Sequence, residues 1–257
     1  SVMNALGDSR RPLYYLLLSS AINVVLDLLF IAGFGWGVWS AAVATTVSQA
    51  ISMILCLIHL SGPRAAFRLQ WRKLRIDRAL FGKIVRYGLP SGVQNSVISL
   101  ANVVVQANIN TFGKLAVAAC GTYSKLEGFA FLPITSFTMA LTTYTGQNLG
   151  AREYDRAKKG ARFGILCAIT VAELIGLALY ILMPQLARLF SETPEVIRMA
   201  TRQARTIAPF FFLLAYSHAV ASVLRGAGKA VVPMLVMLGV WCVLRITYIT
   251  LIIDNLH

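Results

Sequence analysis

Long uninterrupted apolar runs constrain this chain more than any other feature. A helix needs about 20 predominantly apolar residues to cross roughly 30 Å of hydrocarbon, and reading for such runs gives seven spans: 13–34, 38–61, 87–112, 116–145, 162–190, 197–224 and 231–253. The runs are rich in Leu, Ile, Ala and Val and show no strict alternation, which excludes the other spanning architecture, the closed β-barrel. With 57% hydrophobic and 13% charged residues, and a mean hydropathy of +0.69, composition agrees. The fold class read here is an all-α polytopic membrane protein with about seven transmembrane helices.

The formal charge of +14 raises nucleic acid as a partner, but its distribution points elsewhere. Numbered from the first residue, the odd connections carry Arg10 and Arg11; then Arg64, Arg68, Arg72, Lys73, Arg75, Arg78, Lys83 and Arg86; then Arg152, Arg156, Lys158, Lys159 and Arg162; then Arg225 and Lys229. The even connections are poor: 34–39 is uncharged, 112–117 has Lys114, and in "RLFSETPEVIR" Glu192 and Glu195 balance Arg188 and Arg198. This alternation follows the positive-inside rule. It places Ser1 and the basic loops in the cytoplasm and His257 outside, with the lipid bilayer as partner and no nucleic acid.

Cys56, Cys120, Cys167 and Cys242 are scattered one to a span without ligand spacing, and His59, His218 and His257 do not cluster. No HExxH, GxSxG, P-loop or GxGxxG pattern occurs. The expectation is a chain that is not an enzyme and holds no cofactor.

A repeat organises the spans. "SVMNALGDSRRP" (1–12) and "SVLRGAGKAVVP" (222–233) align at one constant offset, sharing Ser, Val, a long apolar residue (Met3, Leu224), a glycine (Gly7, Gly228) and the closing proline. Glycine permits a tight turn, basic residues sit with headgroups, and proline is accepted in the first turn of the following helix. Six spans separate the copies, so both lie on one side and the duplication is parallel. If the unit is six spans, three spans and most of a fourth are expected before Ser1, and a twelfth after His257.

Several stretches in this order resemble the multidrug and toxic compound extrusion (MATE) transporters, of the bacterial, DinF-like type. They are "ALGDSRRPLY", "NVVLDLLFI", "WGVWSAAVATTVSQ", "YGLPSGVQNS", "NINTFG", "ITSFTMALTTYTGQNLGAREYDRAKKG" and "VLRGAGKAVVPM". The resemblance implies part of a twelve-helix, two-lobe fold, from the helix 4–5 turn to helix 11. Residues 1–62 would end the N-terminal lobe (helices 5 and 6), 63–86 would form a basic cytoplasmic inter-lobe loop, and 87–257 would belong to the C-terminal lobe (helices 7 to 11). The implied activity is export of amphipathic or cationic organic compounds across the cell membrane, driven by H⁺ or Na⁺, by a monomeric alternating-access antiporter. A lipid-linked oligosaccharide flippase is the alternative within transport, and it predicts a more basic cavity than Lys125 and Arg245 supply. A non-transporting receptor or scaffold is the alternative outside it, and it has no need of an acid in hydrocarbon.

Five ionisable residues stand out toward the middle of the spans, away from the basic connections: Asp27, Lys125, Glu127, Glu173 and Arg245. Each costs about 2.5–3.5 kcal/mol on insertion scales, so each needs a partner, a cavity or the interface. Asn23 and Asp27 share a helix face, a pairing suited to a hard cation or a held proton. The resemblance adds Thr45 of the next span and makes Asn23, Asp27 and Thr45 the cation site. The competing reading has Asn23 and Asp27 bonding helix backbones near the interface. Lys125 and Glu127, two apart, point in different directions. Lys125 either snorkels or lines a cavity, and Glu127 either binds protons or drug cations or belongs to a structural pair. Arg245 is the natural partner for Glu127 or Glu173, and Glu173 is otherwise a lone proton site. Gln94, Asn95 and Gln106 head a series of amides on one span that suits a cavity or another helix, and Tyr123 completes the substrate-cavity candidates. Pro133 and Pro209 each remove a backbone hydrogen bond and are expected to kink their helices.

Overall fold

The computed structural model describes residues 3, 8, 10–37, 39–62 and 75–256, and these are helical apart from short connections. Ser1, Gly7, the loop cations Arg64, Arg68, Arg72 and Lys73, and His257 lie outside the described residues. Two units divide the chain, Ser1–Asp77 and Arg78–His257.

The first unit is a helical hairpin. Helix α1 (Arg10–Asp27) runs on into a π-helical stretch, Leu28–Gly33, and α2 (Trp39–Ser61) returns alongside it. Three polar contacts set an antiparallel register: Arg11 Nη1 to His59 Nε2 at 2.7 Å, the Ser19 hydroxyl donating to the Ser48 carbonyl at 2.7 Å, and Asn23 Nδ2 donating to Thr45 Oγ1 at 3.3 Å. Ser19, Ser40, Ala44 and Ser48 are the buried residues of the pair, so small side chains bring the backbones together, as helices in lipid require. The long side chains point outward: Leu13, Leu16, Val24 and Val25 are each more than half exposed, as a lipid-facing surface should be. At the hairpin tip Phe30, Phe34, Trp36 and Trp39 form a chain of ring contacts with centroids 5.1–6.5 Å apart. Trp at such a tip suits the membrane–water boundary.

The second unit contains α3 (Arg78–Thr111), α4 (Lys114–Gly150), α5 (Tyr154–Arg188), α6 (Pro194–Ile207), a 3₁₀ turn (Ala208–Phe210), α7 (Phe211–Gly226), α8 (Val231–Met237), a second π-helical stretch (Leu238–Leu244) and α9 (Arg245–Leu256). Its core lies where α4, α5, α6 and α7 meet, around Leu126, Ile134, Leu179, Met183, Val196 and Phe211. Alanine dominates the contact: Ala168 and Ala172 of α5, Ala200 and Ala204 of α6, and Ala215 and Ala219 of α7 are essentially inaccessible. They recur every four residues, one per turn, along a single stripe of each helix. The more polar α3 packs against α8, the second π stretch and α9.

Among the described residues five passes have both the length and the hydropathy to cross a bilayer: Arg10–Gly33, Trp39–Ser61, Tyr154–Arg188, Pro194–Gly226 and Val231–Leu251. The other two, α3 and α4, are 34 and 37 residues long but carry the amides and hydroxyls that lower their hydropathy. Span limits differ from those read in the sequence. α3 begins at Arg78, so Lys83 and Arg86, counted above with a loop, sit on a helix.

The repeated phrase has a structural counterpart. After α7, Gly228 adopts φ +78°, and the Lys229 amide donates to the Leu224 carbonyl at 2.9 Å while the Gly228 amide donates to Arg225 at 2.9 Å. This is a Schellman closure, and its left-handed residue is the reason for glycine. In the first copy the Asp8 amide donates to the Met3 carbonyl at 3.0 Å. Met3 and Asp8 are the residues that align with Leu224 and Lys229, so the duplication extends to one backbone hydrogen bond. Pro12 and Pro233 stand in the first turns of α1 and α8, as expected.

Candidate functional site

Each π-helical stretch adjoins one of the membrane charges. Asp27 is the last α-helical residue before Leu28–Gly33, and Arg245 the first after Leu238–Leu244. A π stretch shifts the backbone ladder by one residue and often accompanies functional positions. In the first unit it falls immediately beyond the Asn23/Asp27 face. The Asn23 amide is engaged with Thr45 Oγ1, which itself donates to the Ala41 carbonyl at 2.9 Å. Asp27 Oδ1 is buried with no hydrogen-bond partner. An unpartnered carboxylate oxygen one helical turn from a neutral amide has the chemistry to take a proton or a hard monovalent ion. Among the described residues no three of His, Cys, Asp and Glu gather into a metal-binding group.

Glu173 has a different fate. Pro209 sits in the 3₁₀ turn where α6 gives way to α7, and a helix that restarts has first-turn amides with no partner of its own. Glu173 Oε2 accepts a hydrogen bond from one of them, Phe212 N–H, at 3.1 Å. One turn further along α5, Gly176 lies under the break: a Cβ there would come within 2.7 Å of the Ala208 carbonyl oxygen. Glu173 and Gly176 therefore seal the break electrostatically and sterically. Of the two partners read for Arg245, Glu127 or Glu173, neither forms an ion pair with it among the described residues. The Arg245 guanidinium donates to Asn102 Oδ1 of α3 at 3.0 Å and lies over the Trp241 ring, 5.4 Å from its centroid. Glu127 accepts a hydrogen bond from the Tyr123 hydroxyl at 3.0 Å.

The remaining sequence candidates separate into packing and open positions. Gln94 is buried and its amide donates to the Met237 sulfur at 3.0 Å, joining α3 to α8. Asn95 is exposed, and the Gln106 amide is held by Asn110 Oδ1 at 3.0 Å on its own helix. Lys125 is exposed, its ammonium 5.4 Å from the Phe190 ring centroid, and so reaches toward the α5–α6 turn. Pro133 lies within α4 without interrupting it, unlike Pro209. Cys56, Cys120, Cys167 and Cys242 are all free thiols.

Sequence reasoning missed two arrangements. The Glu173 cap was signalled by Pro209, which breaks the helix, so that the helix restarting after it has first-turn amides some acceptor must satisfy. A basic group at the α5–α6 corner was signalled by Arg198, Arg202 and Arg205, which recur at one-turn spacing. These arginines line a cleft of ≈ 850 Å³ there.

Comparison with known proteins places the chain. A family model described as MatE matches residues 90–250, which is α3 through α9. The probable multidrug resistance protein YoeA of Bacillus subtilis (strain 168) is 25% identical over 243 residues, 91% of this chain and 52% of YoeA. An FAD transporter of Shewanella oneidensis is 29% identical over 204 residues, 76% of this chain and 44% of its own length. Among solved structures, a MOP superfamily transporter from Pyrococcus furiosus matches with a TM-score of 0.86 at 24% identity, covering 94% of this chain and 54% of that one. A multidrug resistance MATE family transporter in an outward-facing conformation matches at 0.82 and 23% identity, over 91% and 53%. At such identities the structural matches speak for the fold. The chain spans about half the length of the curated relatives it matches. Its helices, their order and the family match over more than half of its residues lead to one assignment: the chain belongs to the MATE family.

Proposed function

We propose that this chain forms part of a cation-coupled antiporter that exports amphipathic or cationic organic compounds across the cell membrane. The single observation that carries the proposal is Asp27. Its Oδ1 is buried and unpartnered on a membrane-crossing helix, one turn from Asn23 and at the edge of a π stretch. A carboxylate left so in hydrocarbon is costly unless something occupies it during the working cycle. A proton or Na⁺ is that occupant, with Asn23 and Thr45 supplying neutral oxygens beside it. Both are cargo of the cycle rather than resident groups.

In this reading residues 1–62 belong to the N-terminal lobe and 87–257 to the C-terminal lobe, with the basic connections in the cytoplasm. Alternating access comes from the lobes rocking against one another, and binding at Asp27 biases which state is populated. The Bacillus relatives are named as probable multidrug resistance proteins, which supports drug-like cargo over a lipid-linked sugar.

Ethidium efflux from cells expressing the transporter tests this. Asp27→Asn at normal membrane level is expected to lose efflux and its pH dependence. Retention of both overturns the coupling role.

A further inference from the structure

α5 is basic at both ends. Its start carries Arg156, Lys158, Lys159 and Arg162; its last residue is Arg188, and beyond that end stand Arg198, Arg202 and Arg205. One pass of the membrane separates the two groups, so the positive-inside rule accounts for one of them and not the other. The second group needs its own reason.

Length puts that group at headgroup level. Pro194–Gly226 has 33 residues, about 50 Å of helix at 1.5 Å per residue, against roughly 30 Å of hydrocarbon. The stretch Ala208–Leu224 holds no Asp, Glu, Lys or Arg and is about 26 Å long, at the lower end of what a crossing needs. α6 therefore lies in the polar layer. It buries Val196, Ala200 and Ala204 in the bundle and turns Arg198, Arg202 and Arg205 to the cleft, at positions i, i+4 and i+7.

The cleft of ≈ 850 Å³ collects Arg188, Arg198, Arg202 and Arg205 with one carboxylate, Glu192. Among the described residues no ion pair engages any of the four arginines. Arg205 is held in place by the Tyr180 carbonyl at 3.4 Å and by that residue's ring. In the same lining Thr201 Oγ1 is buried with no hydrogen-bond partner. Four converging guanidiniums repel one another unless an anion sits between them, and an unpaired hydroxyl in the wall is a further donor. Planar guanidinium forks match the oxygens of phosphate better than any other common anion except carboxylate, and phosphate is the anion that the headgroup layer supplies.

We propose that the α5–α6 cleft is a phosphate-binding site, filled by the phosphate of a lipid headgroup or by a free phosphate. The purified protein is stripped of lipid in neutral detergent. It is then titrated with dioleoyl phosphatidylglycerol or dioleoylglycerol under native mass spectrometry, with inorganic phosphate as competitor. Wild type is expected to retain one phosphatidylglycerol where dioleoylglycerol is lost. In the double variant R198Q/R202Q the affinity is expected to fall about tenfold, the scale of one charge-assisted phosphate contact. Competition by millimolar inorganic phosphate assigns the site to phosphate in general, and resistance to it assigns the site to the lipid headgroup. Equal retention of the two lipids by wild type, or unchanged affinity in the double variant, overturns the proposal. Should the double variant not fold, wild type decides by the lipid comparison. Thr201→Val, which keeps every charge, is expected to weaken retention by about threefold, in line with the loss of one neutral hydrogen bond.

Discussion

Asp27 and Glu173 are both acids on membrane-crossing helices, and the structure treats them in opposite ways. Glu173 accepts the Phe212 amide at the Pro209 break, so its charge completes a helix terminus that would otherwise lack an acceptor. Asp27 has Oδ1 buried with nothing bonded to it. An intramembrane carboxylate is therefore not by itself a sign of transport chemistry. What distinguishes the two is whether the protein supplies the acceptor's partner. Glu127 sides with Glu173, since the Tyr123 hydroxyl donates to it.

The comparison can be broken by exchanging the consequences of the two mutations. Asp27→Asn is expected to reduce ethidium efflux at least about tenfold, the cost of losing roughly 1.4 kcal/mol or more of differential cation binding. Its melting temperature in detergent should equal that of wild type. A parallel loss of stability would put Asp27 in the same class as Glu173. Glu173→Ala should do the reverse, lowering stability by about 1–3 kcal/mol because the Phe212 amide is left unpaired, while efflux per folded molecule persists. An efflux defect in excess of the fall in membrane level would give Glu173 a part in coupling.

Gly176→Ala sharpens the same contrast from the steric side. The new methyl meets the Ala208 carbonyl within van der Waals distance, and overpacking of this sort costs about 1–3 kcal/mol. Thermal melts of this variant and of its double mutant with Glu173→Ala should show non-additivity, since both residues act on one break. Simple additivity would separate the cap from the packing. The smallest effect is expected for Tyr123→Phe, about 0.5–1.5 kcal/mol for one hydrogen bond, read in the same melts.

The fold class was legible because hydrocarbon imposes a length and a composition on every pass. The repeated phrase was legible because a tight turn demands glycine and tolerates proline at fixed offsets, and the two 6→1 hydrogen bonds at Asp8 and Lys229 show how local that demand is. Asn23 and Asp27 could be found because their spacing puts them on one helix face. The partners of Glu173 and Arg245 could not. They lie on other helices, 39 and 143 positions away in sequence, and spacing along one helix carries no information about them. Gln94 shows the same limit, since its amide looks equally suited to a cavity and to Met237 until the neighbouring helix is known.

The charge at both ends of α5 also bears on how the chain enters the membrane. Insertion machinery reads Lys and Arg within some 15–20 residues of a segment's ends, and here both ends give it similar instructions. α5 cannot select its own direction from its flanks. Its orientation must be inherited from segments threaded before it, among them the hairpin with Arg10 and Arg11 at one end and an uncharged aromatic tip at the other.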